Sequence, residues 1–174
     1  VGTSYAATAF EDNITTGMKD AGIIIYGTND GFAPPDVPRS NLPAELQHIA
    51  GNADMIGSWK VPIHDFRKNT VYNADSGIEV RGVTRDDRGT DQFNIDHNKQ
   101  SLIEDSYIWG IRETGVQISY ASYTTLKDAL IIGDIQNPVL RNGADISSPQ
   151  GIGIYSDKNA RSVIYDNVHV EGFD

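Results

Sequence analysis

The stretch SLIEDSYIWGIRETGVQISYAS, Ser101 to Ser122, decides how this chain is built. It opens on apolar residues, turns at Glu104-Asp105-Ser106, runs through Tyr107-Ile108-Trp109 and reaches Gly115. From there it alternates through Val116, Gln117, Ile118 and Ser119. Taken alone, this is a hairpin. Set beside the rest of the chain, it is one copy of a repeat.

Aligned on Ile103-Glu104-Asp105-Ser106, four other segments fall into register: Phe10-Glu11-Asp12-Asn13, Phe66-Arg67-Lys68-Asn69, Leu126-Lys127-Asp128-Ala129 and Ile164-Tyr165-Asp166-Asn167. Four copies continue into a β-rich run: Thr70-Val71-Tyr72, Tyr107-Ile108-Trp109, Leu130-Ile131-Ile132 and Val168-His169-Val170. A glycine then opens a further strand, as Gly22-Ile23-Ile24-Ile25, Gly77-Ile78-Glu79-Val80, Gly115-Val116-Gln117-Ile118 and, after an insertion, Gly151-Ile152-Gly153-Ile154. The closest copies, Ile103 and Leu126, lie 23 residues apart.

A unit of that length, made of short β-runs and turns, is the signature of a parallel β-helix coil. Each strand stacks on its equivalent one coil away, about 4.8 Å on. Alternation places Ile78/Val80, Val116/Ile118 and Ile152/Ile154 inside. Asn13, Asn69 and Asn167 share one slot, where an amide tolerates left-handed backbone and can bond from coil to coil. The expected fold is therefore all-β, a solenoid of five coils with long loop insertions, over a single domain spanning residues 1–174. The competing reading is a β-sandwich with turns rich in Asn and Gly. Little helix is expected; Pro43 to Ala50 is the best candidate, with Asn41 as its cap. Neither end of the repeat shows a polar cap, so the chain reads as a segment of a longer protein or as one that packs end-on against copies of itself.

Composition narrows the partners. A formal net charge of −10 over 174 residues argues against a nucleic-acid surface, which needs clustered Lys and Arg. No run approaches the roughly 18 apolar residues of a membrane span, so no membrane insertion is expected. The absence of cysteine excludes disulfides and thiolate metal sites. His48, His64, His97 and His169 show no zinc-type spacing, and phosphate-loop, dinucleotide and nucleophile-elbow motifs are missing.

Three insertions leave the coil, at Gly27 to Lys60, Val83 to Asn98 and Asp134 to Gln150, and solenoid loops of this kind commonly build the binding surface. Outward positions of the glycine-led strand read Tyr26, Glu79/Arg81, Gln117/Ser119 and Tyr155. Such a ladder of acid, guanidinium, amide and phenol suits a polysaccharide, with aromatics on sugar faces and polar groups on hydroxyls. The plainer alternative is a solvated sheet face. His97, next to Asp96, is a candidate general base. Asp86, Asp87, Asp91 and Asp96 form a candidate Ca²⁺ site, the one cofactor the sequence points to, although their spacing fits no EF-hand.

The rungs resemble those of the right-handed parallel β-helix superfamily, the pectate-lyase-like fold, over most of the chain. Phe93-Asn94-Ile95-Asp96-His97 is similar to the WIDH segment of pectate lyases, with Asn94 at the Trp position and no RxPxxR arginine segment. Asp86-Asp87 matches the paired aspartates of polygalacturonases, whose GHG and RxK are missing. Ile63 to Asp134 also resembles β-helix regions that accompany G8 domains in large extracellular proteins. The resemblance implies architecture and an extracellular or cell-surface location; fold does not imply activity. If the chain is an enzyme, a lyase or glycoside hydrolase would use His97 or Tyr120 as base and Arg81 or Arg112 against a uronate carboxylate. The alternative is a non-catalytic stalk, adhesin or assembly solenoid.

Overall fold

Short β-runs separated by single left-handed residues wind this chain into stacked parallel sheets. The computed structural model describes residues 2–3, 9–27, 36–85, 95, 97–134, 151–157 and 160–173. Three parallel sheets of five strands each run side by side. Sheet A holds Gly2–Thr3, Ala21–Tyr26, Ser76–Arg81, Thr114–Ser119 and Ile152–Asp157. Sheet B holds Phe10–Glu11, Phe66–Arg67, Ser101–Glu104, Ser122–Lys127 and Arg161–Asp166. Sheet C holds Ile14–Thr16, Thr70–Tyr72, Tyr107–Ile111, Leu130–Gly133 and His169–Glu171. Every pairing within these sheets is parallel, as in a β-helix and unlike a sandwich of hairpins.

The corners explain the winding. Between sheets B and C the chain turns at Asp12, Lys68, Asp105, Asp128 and Asn167, all with φ between 48° and 55°. Strands of sheet C end at Gly17, Asn73 and Gly172, with Gly110 at an irregularity inside Tyr107–Ile111, and strands of sheet A end at Gly82 and Tyr120, again with positive φ. One left-handed residue redirects an extended chain without spending a loop, and Asp, Asn and Gly tolerate it best.

The core is a set of columns. Sheet A contributes Ile23–Ile78–Val116–Ile154 and sheet C contributes Val71–Ile108–Ile131–Val170. Sheet B contributes Phe10–Phe66–Ile103–Leu126–Tyr165, with the two Phe rings stacked at 5.3 Å. Central members are fully buried. The columns touch across a line of glycines, Gly22–Gly77–Gly115–Gly153. A Cβ on Gly115 would lie 2.3 Å from Ile131 Cγ2 and 2.4 Å from the Gly153 carbonyl. These positions are glycine because sheet C presses its branched side chains against the backbone there.

Four expectations are corrected. The glycine in register in the last copy is Gly153, not Gly151, so Ile154 stacks on Val116 while Ile152 stacks on Thr114. In sheet B, Tyr165 rather than Ile164 joins Leu126; Ile164 pairs with Thr125 on the outer face and is 47% exposed. An unbroken apolar run, Val163-Ile164-Tyr165, carries no parity, and a slip of one residue exchanges the faces. Asn167 accordingly belongs to the left-handed corner, donating to Asp128 at 2.6 Å, while Asn13 and Asn69 alone form the amide ladder. There, Asn13 Nδ2 donates to Asn69 Oδ1 at 2.9 Å, and buried Asn69 donates to the Phe10 carbonyl at 2.8 Å.

The fourth correction concerns the helix. Ala44–Ala50 is a 3₁₀ helix whose N-cap is Pro43, with no side-chain cap. Asn41 belongs to the preceding 3₁₀ turn, Arg39–Asn41. This excursion also carries a two-stranded antiparallel pair, Val37–Pro38 with Met55–Ile56. Its own small core joins Val37, Leu42, Leu46, Ile49, Ile56 and Val61. The insertion from Asp134 to Gln150, apart from Asp134, lies outside the described residues, as does most of Val83 to Asn98.

Candidate functional site

Parity along sheet A sends residues 24 and 26, and their equivalents on each coil, to the outer face. Two columns form there. One is Ile24–Glu79–Gln117–Tyr155 and the other Tyr26–Arg81–Ser119–Asp157. Glu79, Gln117 and Tyr155 thus stack directly, whereas Tyr26 belongs with Arg81 one step along the strand.

This face is not a solvated sheet surface. Glu79 is 5% exposed, Gln117 7% and Ser119 3%. Arg81 Nη2 lies 2.7 Å from Glu79 Oε2. Gln117 Nε2 donates to Ser119 Oγ at 3.0 Å, and Ser119 Oγ donates to Asp157. Burial pushes the Glu79 carboxyl above the ordinary glutamate range; the Arg81 charge opposes the rise, and Asp20 and Glu113 add to it.

Those two acids belong to a further column that the repeat reading missed. Asp20, Asp75 and Glu113 stand on successive coils, tied by Ser76 N–H to the Asp20 carbonyl at 3.2 Å and Glu113 N–H to the Asp75 carbonyl at 2.8 Å. A signal for them exists: Asp20-Ala-Gly22, Asp75-Ser-Gly77 and Glu113-Thr-Gly115 repeat an acid two residues before the column glycine. Asp75 and Glu113 are buried, and Arg112 pairs with Asp75.

The residues considered as catalytic do not converge. Arg81 ends one strand of sheet A, while Arg112 precedes the start of another, about 20 Å along the strand direction at 3.3 Å per residue. Each arginine is paired with an internal carboxylate. Tyr120 occupies the left-handed corner after sheet A, at φ 51°, with the Arg85 guanidinium 4.6 Å from its ring centroid. His97 stands near the same corner's supports. Its Nε2 donates to the Lys60 carbonyl at 2.7 Å and its Nδ1 accepts from Lys99 N–H at 3.3 Å. The neighbouring Trp59 carbonyl accepts from Arg85 N–H at 3.1 Å. Both His97 nitrogens are thereby engaged by backbone groups.

Asp86, Asp87, Asp91 and Asp96, the candidate calcium ligands, lie outside the described residues. Among the described residues, no group of three or more His, Asp or Glu side chains is arranged to hold a metal ion. No helix among them is long and apolar enough to cross a membrane. No family model matches the chain, and neither a curated protein nor a solved structure matches it.

Proposed function

We propose that this chain is an extracellular or cell-surface, right-handed parallel β-helix of about five coils, akin to the pectate-lyase-like superfamily, and that it recognises a polysaccharide on the outer face of sheet A. One observation carries the reading. Glu79, kept protonated to higher pH than an exposed glutamate, stacks in register with Gln117 and Tyr155 beside Tyr26, Arg81 and Asp157. That combination supplies donors and acceptors for sugar hydroxyls, with half-buried phenols beside them to lie against sugar rings.

With Arg81 and Arg112 each holding an internal carboxylate, the face is matched to hydroxyl recognition more than to a polyuronate. A glycan array with and without a calcium chelator tests the proposal. Binding of a defined glycan is expected, with about tenfold weaker affinity in Tyr155→Ala, as loss of one ring contact implies. Failure to bind any glycan overturns it. For a bound glycan, reducing-end release and ultraviolet absorbance of unsaturated products separate hydrolysis and elimination from binding alone. His97→Ala then decides whether that ring takes part in any turnover.

A second reading, an assembly solenoid that stacks end-on with copies of itself, draws support from the last coil. Val170 and Tyr165 occupy inward columns yet are 40% and 44% exposed, whereas Ile131 and Leu126 beneath them are fully buried. A concentration-dependent dimer in light scattering is the expected sign, and a monomer at all concentrations removes this reading.

A further inference from the structure

The outer face of sheet C is unlike the other two. Val71, Ile108 and Ile131 point inward there and are fully buried, so the residues on either side of them point out. Two outward columns result. One is Ile14–Thr70–Tyr107–Leu130 and the other Thr16–Tyr72–Trp109–Ile132. Over these four coils neither column carries a charge; His169 and Glu171 follow on the fifth. Yet the chain has a net charge of −10, and the outer faces of sheets A and B carry the ion pairs Glu79–Arg81 and Glu11–Arg67. A neutral strip, two side chains wide, is set apart from its surroundings.

The strip is also held in shape. The Tyr72 and Trp109 rings stack with centroids 4.8 Å apart and planes 8° from parallel, and Tyr107 leans on Trp109 at 6.4 Å and 34°. Ile14, Tyr107 and Trp109 are exposed, and Leu130 and Ile132 are half-buried beside them. Side chains already fixed by one another lose little freedom when a ligand arrives.

We infer that this strip is a second glycan-binding surface, separate from the outer face of sheet A, and that it takes an uncharged, extended polysaccharide lying along the coil axis. Three features choose that occupant. Four coils and two columns span a few hundred Å² at most, against roughly 800 Å² per partner in a stable protein interface, so a second copy would be poorly held. An extended peptide docks by main-chain bonds to an open edge, whereas Thr70–Tyr72, Tyr107–Ile111 and Leu130–Gly133 are each paired on both sides. A charged glycan finds no counter-charge here. A neutral sugar chain needs neither edge nor charge. Its C–H faces lie against rings and methyl groups, while its hydroxyls meet the Thr16 and Thr70 hydroxyls, the phenols and the indole N–H. The inference does not depend on the reading of sheet A, because the two faces share no residue.

Trp59 and Trp109 are the two tryptophans of the chain, so Trp59→Phe leaves Trp109 as its single indole. Acrylamide quenching of that indole is measured with cellohexaose, xylohexaose and mannohexaose, and with oligogalacturonate as the charged control. At least one neutral hexasaccharide is expected to shift the Trp109 emission to shorter wavelength and to shield it from quencher, with no response to oligogalacturonate. By calorimetry, Trp109→Ala and Tyr107→Ala each weaken that binding about tenfold, as loss of a ring contact implies. Tyr155→Ala leaves it unchanged; the opposite pattern belongs to sheet A, so either surface can fail alone. An indole indifferent to all three neutral sugars, or responding to oligogalacturonate only, overturns the inference. So does binding that survives both alanine variants. A dimer in light scattering that is lost in Trp109→Ala would assign the strip to a second copy instead. Because Tyr107 is exposed, its substitution decides the matter even if Trp109→Ala perturbs folding.

Discussion

Gly115 shows how a single position can carry the fold. Its missing Cβ is what lets Ile131 reach the sheet A backbone, and an added methyl would overlap both Ile131 and the Gly153 carbonyl. Gly115→Ala is expected to cost about 1–3 kcal/mol, the range for overpacking, seen as a lower denaturant midpoint. Glu79 makes the opposite kind of residue-scale statement. Its carboxyl binds its proton more tightly in the folded chain than when unfolded. Between the unfolded and folded values the native state holds more protons, so stability falls as pH rises through that window. Glu79→Gln should remove this slope, keeping stability level from the ordinary glutamate range upward while the wild type declines. Denaturant titrations at a series of pH values read the difference directly; parallel profiles would contradict it.

At the scale of the element, sheet B carries a register device on its outer edge. Glu11, Arg67, Glu104, Lys127 and Asp166 stack on successive coils with alternating sign. Arg67 lies 2.8 Å from Glu11 and Lys127 3.2 Å from Glu104. The Arg67 bond holds the Glu11 carboxyl below its ordinary range, and the Glu104 bond holds the Lys127 amine above its own. Parallel strands of short length are weakly specified by hydrogen bonds alone, and the alternating charges favour the observed register. Glu104→Lys places three cations in a row. It should lower the thermal midpoint at low ionic strength, with the deficit shrinking in about 1 M salt as screening takes over. A deficit indifferent to salt would assign the effect to packing instead.

At the scale of the molecule, two cores meet without sharing a buried member. The coil columns form one, and the excursion builds the other around Leu42, Leu46 and Ile49. Separate cores predict separate loss. Leu46→Ala, at about 2–5 kcal/mol for a buried leucine, should strip exchange protection from the Ala44–Ala50 helix while Ile108 and Ile131 remain protected. Simultaneous loss in both regions would show one cooperative unit.

The sequence by itself determined the coil. Its repeat of an apolar residue, a polar pair and a β-run survives because each coil must bury the same columns, and alternation marks those columns wherever it is unbroken. It also placed Glu79, Gln117 and Tyr155 on one line, since parity alone sends them outward. Where parity was silent, as in Val163-Ile164-Tyr165 or between Gly151 and Gly153, only the stacked neighbours chose the register. The pairing of Arg112 with Asp75 was likewise illegible, since it joins side chains on neighbouring coils whose proximity depends on how the strands and corners are wound. The same holds for the burial of Glu79, which a one-dimensional pattern marks as an outward, charged position and which the packed face keeps from water.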